Sequence, residues 1–563
     1  MTDMRRTLLW GVFLVSLFLL YDAWNKHTGQ PSMFAPPVAR QAPAPAASGA
    51  NGVPAPATTA DVAAGTTAPV AGSTAAPSGS EKITVTTDLV AATFDTRGGD
   101  VMRLELLRQI DDNDPKKNVV LFDQSNQRLY KAQSGLIPAQ GGTLPNHMTV
   151  MTPVPGDRSL KDGANQLQVK FESPEVGGAK LVKTYTLHRG SYVIDVRHEV
   201  VNTSAAPMVP QLYLQLVRDG NAPPGGSSFY STFTGPAIYT EASKFTKIEF
   251  KDIETRKPGE KPGHDVAADN GWVSIVQHYF ASAWLLGTHG EDKRPREYYT
   301  RKVSANEYSV GMIVPLGTVE PGATKAIDAR LFAGPQEEDK LEKLAPGLEL
   351  VKDYGVLTIL SKPLFWLLTQ MHKLLGNWGW AIVALVVILK ISFYWLNAHA
   401  YKSMAKMRAV NPKVQELRER YKDKPQQMQQ EMMRIYREEK VNPLGGCLPI
   451  LVQMPFFIAL YWVLLSSVEM RHAPWIGWIT DLSTPDPYFI LPLLMAVTSM
   501  IQVALGAKPP DPMQAKMMWM MPLIFSVMFF FFPAGLVLYW LSNNVLSIAQ
   551  QYLINKRMGV LHT

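Results

Sequence analysis

The chain has 563 residues, of which 46% are hydrophobic and 18% are charged, and its formal net charge is +7. This composition is too apolar for a wholly soluble protein, and because the basic residues flank long apolar segments, it indicates membrane topology rather than nucleic-acid binding. The single cysteine, Cys447, excludes an internal disulfide framework and a zinc site of the CxxC type.

The N-terminal segment has the charge pattern of a signal anchor. Arg5 and Arg6 precede an uncharged stretch from Thr7 to Tyr21, and no small-residue cleavage motif follows it. We predict an uncleaved signal-anchor transmembrane helix over residues 1–24 with a cytoplasmic N-terminus, a cleaved signal peptide being the alternative. Residues 25–80 are dominated by Ala, Pro, Gly, Ser and Thr, a composition that predicts a disordered linker.

Residues 81–346 consist of short stretches rich in β-branched and aromatic residues, such as "KITVTTD" and "SYVIDVRHEVVN", separated by turn-forming residues. Their period of two predicts a mostly antiparallel β-sandwich domain. With the first span oriented N-in, this domain lies outside the cytoplasmic membrane, which in a Gram-negative cell is the periplasm.

The remainder of the chain is helical and apolar. In residues 347–376, Pro363 is followed by leucines at helical spacing, which predicts an amphipathic helix on the membrane surface, with packing against the β domain as the alternative. The spacing of charged residues then predicts five further spans, because about 20 apolar residues cross a bilayer. The predicted segments are span 2 at 377–399, a cytoplasmic helical hairpin at 400–442, span 3 at 443–468, a periplasmic loop at 469–487, span 4 at 488–507, a cytoplasmic loop at 508–516, span 5 at 517–532, span 6 at 535–554 and a basic cytoplasmic tail at 555–563.

Loop charges fix the direction of these spans. Residues 401–440 contain 11 Lys or Arg against 6 Asp or Glu, whereas residues 469–487 contain one Arg against three acids. By the positive-inside rule the first segment is cytoplasmic and the second is external. The predicted fold class is therefore a six-span α-helical membrane core with a periplasmic β-sandwich, in a bacterial inner membrane, with both termini in the cytoplasm.

Signatures of enzymes do not occur in this sequence. "HEVVN", beginning at His198, has Asn202 where a zinc protease motif requires its second histidine. There is no nucleophile elbow, P-loop or dinucleotide fingerprint, and Cys447 is interpreted as a small packing residue. We predict that the protein is not an enzyme and has no metal or cofactor site.

Polar residues inside the predicted spans are candidates for a functional site, because such residues are costly in a bilayer. Lys390, Tyr394 and Asn397 follow one another at i, i+4 and i+7, and therefore form a polar stripe on a helix. Other spans supply further polar residues that could enclose a water-filled cavity with this stripe, namely Gln453, Ser542, Asn543, Asn544 and Ser547. The alternative is a lysine that snorkels to the cytoplasmic interface, although its Cα–Cβ bond points toward the opposite leaflet.

Several stretches resemble one known family. "YKSMAKMRAVNPKVQELRERY", "EEKVNPLGGCLPILVQMPFFIALYWVLLSSVEMRHAPW", "DLSTPDPYFILPLLM" and "FFPAGLVLYWLSNNVLSIAQQ" resemble the YidC membrane protein insertases over about Pro363 to Tyr552. A weaker resemblance extends into the β domain through "TRGGDV" and "GWVSIVQHYFASAWL". The length, the single N-terminal anchor and the large external domain resemble the Gram-negative form.

The resemblance implies an insertase and chaperone that transfers hydrophobic segments of nascent proteins into lipid, alone or beside the Sec translocon. It implies a groove open to the cytoplasm and the lipid, with a cation at Lys390, where the family typically has arginine. Lysine keeps the charge but lacks the planar guanidinium fork for carboxylates. By the same resemblance, the positions where the family guides substrate are Gln453, Met454, Pro455, Tyr539 and Trp540. The predicted substrate groove adds to them the intramembrane polar residues Lys390, Tyr394, Asn397, Asn543 and Asn544.

The implied partners are nascent membrane proteins, the Sec translocon with its accessory subunits, the ribosome and membrane lipids, with no direct nucleic-acid partner. The hairpin at 400–442 would recruit substrate, and the basic tail would meet the ribosome. The competing hypothesis is a small-solute secondary transporter or channel, which predicts inverted repeats that the sequence does not show. A third hypothesis, an intramembrane protease, would need a nucleophile with a base, and the sequence shows no such pair.

Overall fold

The computed structural model describes residues 52–54, 80–112, 114–125, 127–139, 141–223, 232–287, 292–421, 424–439, 448–506 and 512–557. The predicted anchor at 1–24, most of the linker, Cys447 and the end of the basic tail lie outside the described residues. The chain divides into two compact units, Met1–Gly52 and Val53–Thr563. All helices and strands of the described residues belong to the second unit.

The first part of this unit is built from β-strands. Within the described residues they form two nine-stranded sheets, ordered β1-β2-β3-β4-β5-β10-β17-β16-β13 and β12-β11-β14-β15-β18-β9-β8-β7-β6, with antiparallel neighbours throughout. The strands are β1 Lys82–Thr86, β2 Val90–Asp95, β3 Asp100–Ile110, β4 Asn118–Gln124, β5 Leu129–Pro138, β6 Thr152–Pro153, β7 Gln166–Glu172, β8 Ala179–His188, β9 Val193–Asn202, β10 Pro210–Asp219, β11 Gly235–Thr240, β12 Lys244–Lys247, β13 Ala267–Ala268, β14 Trp272–Val276, β15 Phe280–Leu286, β16 Arg296–Ser304, β17 Glu307–Pro315 and β18 Thr324–Pro335.

The period-two pattern of the strands determines which face of each strand is buried. In β2 and β7, buried and partly exposed residues alternate, so one face of each strand enters the core between the sheets. The central strands β14 and β15 are buried on both faces. The outermost strands are short, since β6 and β13 have two residues each and β12 has four.

The second part of the unit is helical. Its helices and those of the β domain are α1 Phe250–Thr255, α2 Glu338–Leu344, α3 Thr358–Leu375, α4 Trp378–Ser392, α5 Tyr394–Arg420, α6 Pro425–Glu438, α7 Leu448–Ser466, α8 Ile490–Leu505, α9 Pro512–Phe529 and α10 Ala534–Arg557. Three 3-10 turns occupy Leu348–Val351, Gly355–Leu357 and Val468–Met470. The prediction of a β-sandwich region followed by a helical region is confirmed at this level.

Helix α10 is at the centre of the helical part, where it packs against α4, α5, α7 and α8. Many of the contacts are apolar, through buried residues such as Leu385, Leu460 and Val537. Within the described residues, no single helix combines the length and hydropathy for a membrane crossing. Trp378–Ser392 and Tyr394–Met407 meet that requirement only as a pair, bent by 69° at the break between them.

Helix α3, which carries the predicted amphipathic pattern, has two apolar faces. Leu364 and Leu368 are buried in the core that α3 shares with α4 and α7. Ile359, at 89% exposure, and Trp366, at 63%, face away from the other described residues. The helix therefore packs on the helical part of the chain and still presents apolar surface outward.

The β domain and the helical part are joined by ion pairs and hydrogen bonds. Lys352, whose side chain is fully buried, pairs with Glu469 at 3.1 Å. Arg471, also buried, donates to Asp112 at 2.6 Å, and His278 Nε2 donates to the Leu465 carbonyl at 2.8 Å. These contacts attach the end of α7 and the loop after it to the β domain.

One buried polar cluster connects the two sheets inside the β domain. Lys183 of β8 donates to Asp100 of β3 at 2.9 Å and to the Ser134 carbonyl at 2.8 Å. His198 of β9 lies 2.9 Å from the Ser134 hydroxyl. The side chain of Lys183 is 0% exposed and that of Asp100 is 6% exposed, so the pair is removed from solvent.

Acidification is expected to destabilise the β domain through His198. Burial lowers the pKa of His198 to about 3, whereas an unfolded histidine has a pKa of about 6.5. As the pH falls, His198 is therefore protonated in the unfolded state before it is protonated in the folded state. The contribution of neutral His198 to stability is complete above about pH 6.5 and is lost below it. Between pH 7 and pH 5 the loss is about 2 kcal/mol, or roughly 5 °C in Tm.

The measurement is the thermal unfolding of the full-length protein in detergent at pH 7 and pH 5, beside His198→Gln. The glutamine variant, which has no titrating group at 198, should show a smaller decrease in Tm over that interval. Equal decreases in both proteins would mean that His198 does not titrate on unfolding.

Candidate functional site

Hydrogen bonds of Asn377 hold the start of α4, the helix that carries Lys390. The Asn377 side chain caps α4 by accepting from the Trp380 backbone N–H at 3.0 Å. The same side chain donates to the carbonyls of Pro474 and Trp475 at 3.0 and 3.2 Å. The start of α4 is thus bonded to the loop between α7 and α8.

The other end of α4 is a break. The helix ends at Ser392, Phe393 has φ −93° and ψ 9°, and α5 starts at Tyr394. The Ser392 hydroxyl donates to the Ile388 carbonyl at 2.9 Å, a back-bond that bends helices. Because of the bend, Lys390, Tyr394 and Asn397 do not follow one continuous helical face as their spacing predicted.

Lys390 points from α4 toward α10. Its ammonium donates to Ser547 Oγ at 2.7 Å, and the Ser547 hydroxyl donates to the Asn543 carbonyl, also at 2.7 Å. The hydroxyl oxygen therefore presents its lone pairs to the ammonium. Among the described residues, no carboxylate forms an ion pair with Lys390. The site is a half-buried ammonium with a neutral partner.

A small cavity lies beside this ammonium, at the meeting of α4, α7 and α10. Its volume is about 20 Å³, which is room for about one water molecule. The lining residues combine an apolar, aromatic wall with three polar side chains: Val386, Leu389, Lys390, Phe393, Gln453, Phe456, Phe457, Tyr539 and Asn543.

A second polar contact lies at the end of this cluster that faces the cytoplasm in the predicted topology. Gln453 of α7 donates to Asn397 Oδ1 of α5 at 2.9 Å. Asn397 is 4% exposed, and its Nδ2 has no partner in the described part of the chain. The pair joins α5 to α7 on the far side of the break from Lys390.

The other predicted site residues have different surroundings. Tyr394 is 53% exposed and Met454 is 46% exposed, so both point away from the cavity. Trp540 packs edge-to-face on Phe529 of α9 with centroids 4.6 Å apart, and Asn544 donates to Ser499 of α8 at 3.0 Å. Pro455 is inside α7, where its missing N–H removes one helical hydrogen bond.

The cavity wall contains three phenylalanines that the sequence did not single out, Phe393, Phe456 and Phe457. In an apolar span every phenylalanine looks alike, and only the helix break and the proline beside Phe456 set these apart. Ser547 was noted as a polar residue of span 6, but its pairing with Lys390 depends on how α4 and α10 pack. In the described residues, no three His, Cys, Asp or Glu side chains form a group suited to a metal ion.

Comparison with known proteins identifies the two parts of the chain separately. The family model described as the YidC periplasmic domain matches residues 82–367. The model described as 60Kd inner membrane protein matches residues 370–560. The boundary between the matches falls within α3.

Relatives align along the whole chain. The membrane protein insertase YidC of Cupriavidus necator is 57% identical over 560 residues, which cover 99% of this chain and 98% of that protein. That of a Janthinobacterium species is 51% identical over 577 residues, covering 100% of both. A crystal structure of an active YidC insertase with its first transmembrane domain resolved is 19% identical, covers 84% of this chain and 92% of that chain, and has a TM-score of 0.38.

These matches define an inner-membrane protein with a periplasmic domain, of the class that inserts membrane proteins. The chain belongs to the YidC family of membrane protein insertases. The family resemblance predicted from the sequence is confirmed, as is the prediction of an insertase rather than an enzyme.

Proposed function

We propose that this insertase transfers hydrophobic segments of nascent proteins into the inner membrane along a groove centred on Lys390. The groove is bounded by α4, α7 and α10, and its polar residues are Lys390, Gln453, Asn543 and Ser547. A cation in a hydrated notch lowers the cost of moving an acidic tail partway across the bilayer. Burial of the passenger's apolar segment in lipid then drives release, at about 25 cal/mol per Å².

The observation that carries this proposal is the position of the Lys390 ammonium. It lies between two helices, it bonds a serine hydroxyl at 2.7 Å, and it has no carboxylate counter-charge among the described residues. An acidic group of a substrate would supply that counter-charge. Lys390 is also two residues from the end of α4, next to the break at Phe393.

We further propose the six-span topology, with spans at 1–24, 377–399, 443–468, 488–507, 517–532 and 535–554 and with both termini cytoplasmic. The charge asymmetry between residues 401–440 and 469–487 supports this orientation. The pair α4 and α5, which has the length and hydropathy for a crossing only when taken together, supports a second span that continues past the break, with the rest of α5 entering the hairpin.

The hairpin of α5 and α6 supports a cytoplasmic role in substrate recruitment. Val410 and Val414 of α5 pack against Met432 and Ile435 of α6, and Lys413 bonds Glu439 at 2.5 Å. Its outer surface is charged and is suited to contact with a ribosome or a nascent chain. The Sec translocon with its accessory subunits and membrane lipids complete the proposed partners.

Site-specific crosslinking of a ribosome-stalled membrane protein tests the groove. A photoreactive residue at Asn543 or Phe456, both of which line the cavity, should crosslink the nascent apolar segment. The same residue at Val545, which is 49% exposed on α10, is the matched control. We expect at least about fivefold more product from the cavity positions, and equal yields at 543 and 545 would argue against a groove between these helices.

A further inference from the structure

Residues Val53 and Pro54 of the linker lie against the face of the first sheet that points away from the sandwich core. Val53 packs with Ile137, Tyr213 and Ile313, and Pro54 is buried. The Val53 carbonyl accepts a hydrogen bond from Arg301 Nη1 at 2.9 Å. A short piece of linker therefore has both apolar and polar contacts with the domain that follows it.

The sheet face at this point is a shaped surface rather than a flat one. Side chains alternate along β10, so Leu212 and Leu214 enter the main core while Tyr213 projects to the opposite face. Gly135 of β5 and Gly311 of β17 lie beneath the tyrosine rings, since a Cβ at Gly135 would clash with Tyr213 Oη and one at Gly311 would clash with Tyr299 Oη. The glycines let both rings lie close to the backbone.

Hydrogen bonds hold the polar groups of this face in place. Tyr299 donates to Gln215 Oε1 at 2.9 Å, and Gln215 Nε2 donates to Gln133 Oε1 at 3.0 Å. Arg301 Nε donates to Ser309 Oγ at 3.3 Å, and its guanidinium lies 5.3 Å from the Tyr299 ring centroid. The guanidinium is thus oriented before it meets the Val53 carbonyl, which lowers the entropy lost on docking.

The chemistry of the docked segment fits such a surface. A residue that precedes proline is held extended, and proline fixes its own φ near −65°, so a Val-Pro pair loses little conformational freedom when it binds. The linker contains valines at positions 38, 53, 62 and 70, and only Val53 is followed by proline.

We propose that the face formed by Tyr213, Tyr299, Arg301 and Ile313 is a binding site for an extended Val-Pro segment, and that Val53–Pro54 occupy it within the same chain. The aliphatic side chain fills the gap between the tyrosine rings and Ile313, the proline ring covers the sheet, and the guanidinium of Arg301 holds the intervening carbonyl. The linker is therefore anchored at its middle, and residues 25–52 alone separate the predicted first span from the β domain.

Intramolecular photo-crosslinking tests the proposal on the full-length protein in detergent. An aliphatic diazirine amino acid, close to valine in size, is placed at position 53, and the same residue at position 62 is the matched control. We expect crosslinks from position 53 to peptides of the strands that form the site, β5, β10, β16 and β17, at least about fivefold above those from position 62. Equal yields from the two positions, or products from 53 that map elsewhere, would overturn the proposal.

Two variants separate docking from folding. Arg301→Ala and Pro54→Ser should each lower the yield from position 53 about threefold. Pro54 belongs to no strand, so the serine variant cannot act by unfolding the sheets, and unchanged yields in both variants would contradict the binding mode. Mixing isotopically heavy and light protein shows whether products join two chains, and mainly mixed products would contradict docking within one chain.

Discussion

Replacing Lys390 with alanine is expected to reduce insertion of a single-span protein with an acidic translocated tail by about tenfold or more. The substitution removes the charge that offsets the cost of the carboxylates, and 1.4 kcal/mol of lost stabilisation corresponds to a factor of ten. Lys390→Arg keeps the charge and should retain insertion. The measurement is protease protection of the translocated tail in cells depleted of their own insertase and supplied with each variant.

The comparison between substrates separates a charge effect from a general loss of function. A version of the same substrate with its acidic residues replaced by asparagine or glutamine should depend much less on Lys390. Ser547→Ala removes only the neutral partner at 2.7 Å and should have a smaller effect than Lys390→Ala. Normal insertion of the acidic tail by the alanine variant would contradict a role for this charge.

Removal of Lys183 is expected to destabilise the β domain by about 3–5 kcal/mol, because it leaves Asp100 buried without its cation. Burial already raises the pKa of Asp100 in the presence of Lys183, and its Oδ2 accepts no hydrogen bond from the described residues. The free energy of unfolding of full-length Lys183→Ala, obtained from denaturant titration in detergent, is the measurement.

A double substitution shows whether the cost comes from the stranded charge. In Lys183→Met with Asp100→Leu, apolar side chains of similar length replace both ions, and such replacements are often neutral or stabilising. We expect the double variant to recover most of the stability that Lys183→Ala loses. If the double variant were as unstable as the single one, packing rather than charge pairing would explain the loss.

Much of the architecture could be predicted from the sequence because it depends on local periodicity. Strands such as β1 and β9 alternate between buried and more exposed residues and were recognisable as half-buried strands. Lys390 was recognisable for a different reason, since an ammonium inside an apolar run is costly wherever the helix packs. The candidates for its hydrogen-bond partner could be limited to the polar residues of other spans, and Ser547 was one of them.

The structural features that could not be predicted from the sequence depend on contacts between distant segments. The break at Phe393, beside a serine back-bond, has no periodic signature, and it separates Tyr394 from Lys390. Whether Asn544 and Trp540 face Lys390 or the helices α8 and α9 is set by the rotation of α10. The pairing of Asp100 with Lys183, 83 positions apart, likewise requires both sheets to be in place.

The short outer strands of the β domain have a consequence for its surroundings. In the described residues, β6 and β13 offer two residues each and β12 four, and the end of β1 is hydrogen-bonded to Arg158 and Leu160. A long bare edge would template pairing with any extended chain nearby. The periplasmic domain of an insertase therefore offers an extended chain few free backbone groups with which to pair.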